Sequence, residues 1–580
     1  MDNPSKESES FYHIFFPLTT KKAILFLILG GVIVFFNMLF NGFSWDDYTY
    51  VVNNSDIHTL NVFHLFGMSI FNSSGYYRPL TAVYFAILYH FFTLQPFYYH
   101  FIQLILHILD TCLLFYFLKR FFLNTQAFLL ALLFLIHPIQ VESVAFISAC
   151  LSELFFLFGI SALLVGQSKP LRMSHPFLVG VLLLFSILAK ETGFLFYILF
   201  GLYLLFFNPR KIPAGLFVLT ISAGLYLYLR FVFANVVLSN DMYLPLTHLS
   251  MLQRFINIPE IIFYYIKTLI YPAQLAIDQL WYISSIDVSH FYLPLGIDIL
   301  FFAILGWIGF YCYQKNKDSL KIFLFFLIWF VSGLLILLQI YPIDLTVSDR
   351  WMYFPLAGLL GMLGVGLKYR PKLSKRIHMV EIYFLVALFI ILGTRTIIRN
   401  SNWYNDFTIN SHDESVLTNF DLENNLGVDY LASGQCGSAR IHFTKSVVLS
   451  PNDVNLDNLG LADACVKRFK EAKIAYMHAM TAPGYLVGKQ HKHFLALYIN
   501  VINFFVLNGN PHQALTYIDQ ALQDYPNNSV LYHYLAAAEY KLGNKIIAAQ
   551  DEKKANALTP TPGYVDVYLL IKRGTKITVQ

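Results

Sequence analysis

The sequence predicts an all-α protein in two parts, a polytopic transmembrane domain followed by a soluble α-solenoid of helical hairpins. Three observations carry that prediction. The 580-residue chain is 57% hydrophobic and only 13% charged, about half the charge of an ordinary soluble domain. Its apolar residues gather in runs near the ~20 residues with which a helix crosses a bilayer while satisfying its own backbone. Beyond Arg399 those runs stop and a periodic pattern of small residues begins.

The elements follow in order. Residues 1–20 form a polar segment expected on the cytoplasmic side, and Lys21 and Lys22 then precede an apolar run with no small-residue cleavage site, so the run is expected to remain as the first span. Lys and Arg in short loops mark the cytoplasmic face. Such clusters occur at Lys21/Lys22, Lys119/Arg120, Lys169/Arg172, Arg210/Lys211, Lys315/Lys317/Lys321 and Lys368 to Arg376. Placing all of them inside threads about eleven spans through the transmembrane domain, residues 21–400. The spans run over 23–40, 98–118, 125–138, 144–166, 176–189, 193–207, 212–232, 294–313, 320–340, 351–367 and 378–395. Two further apolar stretches, 79–93 with His90 and 258–271 with Glu260 and Lys267, are expected to lie along the outer face or to re-enter it.

Residues 401–580 carry the periodic pattern. Gly434-x4-Ala439-x3-Phe443, Ala472-x3-Tyr476-x2-Ala479, Gly509-x4-Ala514-x3-Ile518-x2-Ala521 and Gly543-x4-Ala548 with Ala555 align with one another. Pro451, Pro483, Pro526 and Pro560 fall on the terminal turns, and Asn425-Leu426-Gly427 and Asn458-Leu459-Gly460 mark first helices. Ala514 to Ala548 is 34 residues, the tetratricopeptide period. Small residues are needed where the two helices of a hairpin cross closely, and proline ends the second helix. About four repeats are expected, the third with an insertion near 484–492, and the threading puts the array outside the cytoplasm.

Composition also excludes. The net charge is only +5 and the basic residues are dispersed, which argues against a nucleic-acid partner. Cys112, Cys150, Cys312, Cys436 and Cys465 show no CxxC spacing, so neither a disulfide framework nor a metal cluster is expected.

The chemistry is sought in the outward loops, because charge beside a membrane is costly unless it is used. Trp45-Asp46-Asp47 follows the first span. Paired carboxylates there could share a proton, bind a divalent cation or deprotonate a hydroxyl, while the plainer reading is a helix cap. Gly75-Tyr76-Tyr77-Arg78-Pro79 frames a guanidinium that could grip phosphate, or snorkel to lipid head groups. His137-Pro138 with Glu142, Lys190-Glu191 and Asp349-Arg350 each suit a helix stop or an ion pair when taken singly. All five fall on one side in a topology fixed from other residues. That convergence suits a lipid-phosphate donor meeting a hydroxyl acceptor.

The order of these motifs, with Tyr77-Arg78-Pro79-Leu80, Lys190-Glu191-Thr192, Tyr353, Pro355 and the trailing repeats, resembles the transmembrane and tetratricopeptide-repeat O-mannosyltransferases and their bacterial relatives, in the GT-C superfamily. The resemblance covers nearly the whole chain. It implies transfer of a sugar from a polyprenyl-phosphate carrier to a protein or glycan hydroxyl outside the cytoplasm, with Asp46 or Asp47 as base. Arg78, Lys190 and Arg350 would bind the donor phosphate, supported by Trp45, Tyr77, His137, Glu142, Glu191, Asp349 and Tyr353. A divalent cation, if one takes part, would sit on Asp46 and Asp47, and no other cofactor is expected. The implied partners are the bilayer, the lipid-linked sugar and an acceptor held by the repeats. The implied location is a bacterial inner membrane with the repeats in the periplasm. Asp349-Arg350 stands where relatives commonly have Glu-Arg, so the acceptor is not carried over. The competing reading is a non-catalytic membrane-anchored scaffold that recruits an envelope protein through its repeats. A transporter would place charges deep in the spans and show related halves, and the apolar runs display little of either.

Overall fold

The computed structural model describes residues 17–69, 75–168, 174–237, 249–343, 345–370, 374–482 and 495–558. Most of residues 1–20, the Lys169/Arg172 pair, the insertion 484–492, Pro483 and Pro560 lie outside them. The described residues are helical with no strand, and the chain divides into two compact units, the first ending at Val416 and the second beginning, apart from a short earlier segment, at Leu417.

In the first unit α1 (Thr20–Phe35) continues through a 3-10 turn to Phe40, and α2 (Pro79–Phe92) and α3 (Pro96–Leu118) follow the first loop. Next come α4 (Asn124–Ile136), the short α5 (Val141–Ala145), α6 (Cys150–Gln167), α7 (Ser174–Ala189), α8 (Phe194–Phe207) and α9 (Ile212–Leu227). The unit closes with α10 (Met251–Ile270), α11 (Leu293–Lys315), α12 (Lys317–Ile336), α13 (Tyr353–Lys368), α14 (Lys375–Asn402) and α15 (Asp406–Glu414).

Among the described residues, eight helical stretches are long and apolar enough to cross a membrane: Thr20–Phe40, Pro96–Leu118, Ile147–Gln167, Pro209–Phe233, Val288–Lys315, Lys317–Ile336, Asp349–Lys368 and Arg376–Asn402. A ninth is the pair Asn124–Ile136 and Pro138–Ala145, bent by 53°. The two remaining expected runs are α7 and α8, apolar helices of 16 and 14 residues. Each expected run is therefore a helix, but α4, α7 and α8 are shorter than a straight span requires. The stretches at 79–93 and 258–271 are α2 and α10, and neither meets the length and apolarity of a span. Burial of apolar surface does not drive helices together in lipid, so small residues permit the close crossings. A Cβ on Gly358 of α13 would lie 2.5 Å from the backbone nitrogen of Phe330 on α12, and one on Gly361 would enter the Phe326 ring.

Residues 401–416 are tied to this first unit. Asp406 accepts the Trp45 N–H at 2.8 Å. Asp413 accepts the Ile277 N–H at 2.6 Å and pairs with Arg399 at 3.1 Å.

The second unit holds four hairpins among the described residues: α16 (Phe420–Ala432) with α17 (Cys436–Leu449), α18 (Asp453–Cys465) with α19 (Phe469–Ala479), α20 (Leu495–Leu507) with α21 (Pro511–Asp524), and α22 (Ser529–Lys541) with α23 (Lys545–Ala557). The aligned alanines Ala439, Ala472, Ala514 and Ala548 are all fully buried. A Cβ on Gly427 would meet the Phe443 ring at 2.5 Å, and one on Gly460 the Tyr476 ring at 2.7 Å, so each glycine admits the aromatic of its own hairpin. The turns use left-handed backbone at Gly434, Lys467, Gly509 and Gly543, the conformation that favours glycine. One expectation fails here. Cys436, at the start of α17, is disulfide-bonded to Cys465, at the end of α18, with Cα atoms 6.0 Å apart. The 29-residue separation has no short-motif signature, and only the stacking of successive hairpins brings the two together.

Candidate active site

The polar motifs sit where helices begin. Pro79 starts α2 directly after Arg78, which occupies its N-cap. Short 3-10 turns, Pro138–Gln140, Ile147–Ala149, Glu191–Gly193 and Asp349–Met352, lead into α5, α6, α8 and α13. Proline at the first position of two of these elements accepts the loss of an N–H that has no helical partner anyway. Helix starts carry exposed N–H groups and the positive end of the dipole, an environment that favours anions.

The two adjacent aspartates differ sharply. Asp46 is exposed. Asp47 is buried: its Oδ1 accepts the Ser148 N–H at 2.7 Å and the Ser148 hydroxyl at 2.6 Å, and its Oδ2 accepts the Ser44 N–H at 3.0 Å. Burial raises the Asp47 pKa from 3.8 to about 7 against the pull of those donors, and the neighbouring Asp46 adds to the rise. The divergence begins at Trp45, a non-glycine residue with φ of +54°. Its ring packs on Phe146 at 5.9 Å. Asp47 occupies the N-cap position of the turn Tyr48–Val52 without a side-chain bond to it; its oxygens accept instead from Ser44 before it and from Ser148 at the start of another helix.

Arg78 donates to Glu191 Oε2 at 2.8 Å and lies over the Tyr76 ring at 4.2 Å. Glu191 Oε1 accepts the Tyr77 N–H at 3.0 Å, and Arg230 stands 3.8 Å from the same oxygen. Arg230 also donates to the Gly75 carbonyl at 2.6 Å and the Tyr226 hydroxyl at 3.0 Å. The Tyr77 hydroxyl donates to the Phe66 carbonyl, so this residue fixes the loop. Lys190 reaches the Ser152 hydroxyl at 3.3 Å and lies 5.7 Å from the Phe155 ring centre.

Arg350 pairs with Glu142 Oε1. The same carboxylate accepts the Ser348 hydroxyl at 2.7 Å and the Arg350 N–H at 3.1 Å. Asp349 is buried and accepts the Tyr264 hydroxyl at 2.8 Å. His137 is a corner piece: its Nε2 donates to the Leu269 carbonyl at 3.0 Å and its Nδ1 accepts the Ile139 N–H at 3.2 Å. Tyr353 lies deeper, its hydroxyl 2.8 Å from Asp110 Oδ2 and 3.0 Å from His107 Nδ1.

One segment, residues 137–153, ties these groups together. Glu142 holds Arg350, Phe146 packs on Trp45, Ser148 holds Asp47, and Ser152 meets Lys190, whose neighbour Glu191 holds Arg78. Gln103 of α3 anchors the segment by donating to the Ser143 and Phe146 carbonyls at 2.9 and 2.8 Å. Ser148, Ser152, Gln103 and Arg230 were not singled out in the sequence, since short polar residues and one arginine in an apolar run carry no motif. Asp110 and Glu153 were passed over as well, although a carboxylate inside an apolar run is itself a signal. Both are fully buried, and neither oxygen of Glu153 has a hydrogen-bond partner among the described residues. The spans therefore hold more buried carboxyl groups than their apolar runs suggested.

No family model matches the chain. Among curated proteins it is 25% identical over 536 residues to human protein O-mannosyl-transferase TMTC3, covering 83% of this chain and 58% of that protein. Fruit-fly protein O-mannosyl-transferase Tmtc3 is 26% identical over 545 residues, covering 78% and 58%. A shorter match, to human protein O-mannosyl-transferase TMTC1, reaches 36% over 174 residues, covering 26% of this chain and 20% of that protein. The chain thus spans 58% of the length of the first two relatives. Over most of its own length, it resembles the TMTC protein O-mannosyl-transferases.

Proposed function

We propose that this chain is an integral membrane glycosyltransferase that passes a sugar, with mannose the leading candidate, from a polyprenyl-phosphate carrier to a polypeptide hydroxyl. The observation that carries this reading is the pairing of an exposed carboxylate, Asp46, with a buried one, Asp47, linked through the 148–152 segment to Lys190 and, by way of its neighbour Glu191, to Arg78. Asp46 takes the acceptor's proton as the hydroxyl oxygen attacks the sugar's anomeric carbon. The bond from that carbon to the phosphate oxygen breaks, and polyprenyl phosphate departs with the electron pair. Arg78 and Lys190 bear on the charge growing on the leaving phosphate, in a place where fixed donors need no reorganisation. Asp47, through Ser148 and Ser44, holds the loop that presents Asp46. Arg350, closed against Glu142, secures the start of α13.

The Lys and Arg distribution supports an outward site and outward repeats. So does the Cys436–Cys465 bond, since structural disulfides persist in oxidising compartments.

The test is transfer of radiolabelled mannose from a polyprenyl-phosphate donor to a Ser/Thr peptide by the detergent-purified protein. Asp46→Asn should lower the rate by about two to four orders of magnitude with an unchanged elution profile. Full activity in that variant removes Asp46 as the base. Absence of transfer from any lipid-linked sugar by the wild type removes the reading itself.

A further inference from the structure

The interior of the first unit holds a polar cluster that the proposed chemistry does not use. Asp110 and His107 of α3, Glu153 of α6 and Tyr353 of α13 are all fully buried, and α6 packs against both α3 and α13. The Tyr353 hydroxyl lies 2.8 Å from Asp110 Oδ2 and 3.0 Å from His107 Nδ1, and His107 Nε2 lies 2.9 Å from the Leu135 carbonyl. Glu153, in the first turn of α6, is within electrostatic range of both Asp110 and Tyr353. Tyr84 of α2 and Cys150 of α6 face it as well.

The hydrogen-bond pattern fixes the charge of the Asp110–Tyr353–His107 triad. A carbonyl only accepts, so His107 Nε2 carries a hydrogen, and in the neutral ring Nδ1 is then an acceptor. The Tyr353 hydroxyl donates its one hydrogen to that nitrogen, and its oxygen accepts from a protonated Asp110. The other arrangement that satisfies both contacts, an imidazolium donating to Tyr353 and Tyr353 donating to a carboxylate, holds the same number of protons. The triad is uncharged in either case. An ionised Asp110 beside a neutral imidazole would set Nδ1 against the Tyr353 oxygen with no hydrogen between them.

Glu153 stands outside this arrangement. Neither of its oxygens has a hydrogen-bond partner among the described residues, nor does Asp110 Oδ1. A buried acceptor left unpaired is costly. A proton on Glu153 would cap one oxygen and create a donor with no acceptor among the described residues, whereas a cation can be met by all three oxygens at once. We propose that Glu153, with Asp110 Oδ1, binds one monovalent metal cation inside the membrane domain. Hard cations take oxygen ligands, and a single positive charge matches the one negative charge that the neutral triad leaves to Glu153. A divalent ion would leave a net positive charge in an apolar interior, where unpaired charge is costly. So held, the ion joins α3 to α6 beside the start of α13. It braces from within the segment that carries Ser148, the partner of Asp47, and the helix that follows Arg350.

The test uses the full chain in detergent, exchanged into N-methylglucamine chloride and titrated with NaCl, LiCl or KCl at constant ionic strength. The unfolding temperature should rise with at least one of these salts along a saturable binding curve, and equilibrium dialysis against the radiolabelled ion should find one site per chain. Glu153→Gln should remove both responses, lowering affinity roughly a hundredfold or more, the scale of a buried charge partner. Asp110→Asn keeps a donor toward Tyr353 and an oxygen toward the ion, so its affinity should stay within about tenfold of the wild type. A wild type that responds to none of the three salts overturns the proposal and leaves Glu153 to a proton. So do a response that Glu153→Gln retains, a larger effect of MgCl2 or CaCl2 than of the monovalent salts, and an Asp110→Asn variant that loses binding as completely as Glu153→Gln. Should Glu153→Gln fail to fold, the wild-type titration and the Asp110→Asn affinity still decide.

Discussion

The Arg78 corner and the Arg350 corner are assembled from the same parts, a guanidinium, a glutamate and aromatic rings, yet they hold them in opposite ways. Glu191 keeps 28% of its side chain exposed and is shared between Arg78 and Arg230, with Lys190 as its chain neighbour. Two guanidinium groups share one carboxylate there. Glu142 is 2% exposed, and its oxygens take the Arg350 guanidinium, the Arg350 amide and the Ser348 hydroxyl. That carboxylate is closed in on every side by its own donors. The same Arg–Glu pair is thus left partly open or closed over according to what else its carboxylate must satisfy.

The largest way to break the comparison is Glu142→Ala. It removes the carboxylate that holds a nearly buried guanidinium and accepts two further donors, and should cost about 3–5 kcal/mol, read as loss of monodisperse protein and a lower unfolding temperature in detergent. Wild-type stability in that variant would show that the corner is no clamp. Arg78→Ala should do the reverse, lowering mannose transfer about 10²- to 10³-fold while Arg230 keeps Glu191 paired and the unfolding temperature near wild type. If Arg350→Ala costs more activity than Arg78→Ala at equal stability, the two corners have been assigned the wrong way round. Cys436→Ser touches neither corner and sets the scale for ordinary stabilisation. Opening a loop of 29 residues should cost the array about 3 kcal/mol, visible in chemical denaturation and mimicked by reductant on the wild type.

The smallest effect expected is in pH dependence. If the first loop holds its shape only with Asp47 ionised, the transfer rate falls as pH drops through about 7. The Ser148 hydroxyl favours the ionised form, so Ser148→Ala should move that inflection upward. A downward or absent movement in the pH–rate profile separates Asp47 from the loop's behaviour.

The fold was legible because a span announces itself through one local property, a run of apolar residues, and the hairpins announce themselves through Ala439, Ala472, Ala514 and Ala548 at a fixed period. Partnership was not legible. Nothing local tells that Glu142 closes on Arg350 across 208 positions, or that Glu191 is divided between Arg78 and an arginine inside the 212–232 run. Burial was equally hidden. Asp46 and Asp47 are identical in sequence context, and only the packing of residues 146–148 against the loop separates them. The Cys436–Cys465 pair depends on how one hairpin stacks on the next, which spacing does not encode. The residues that carry the motifs could be found by type and order, whereas Ser148, Ser152 and Gln103, which position them, are too common to stand out.

The left-handed backbone at Trp45 carries a consequence for how such a loop is maintained. A side chain with a Cβ is held there at a cost of roughly 1–2 kcal/mol, offset by the indole against Phe146 and by the amide bonded to Asp406. Glycine would relieve the dihedral and remove the ring in one step. Trp45→Gly is therefore a lever with two opposed arms: the backbone relaxes while the wedge that keeps two neighbouring acids in separate surroundings is withdrawn. The position is thus held from two sides at once, and a single backbone rotation keeps the exposed acid and its buried neighbour apart.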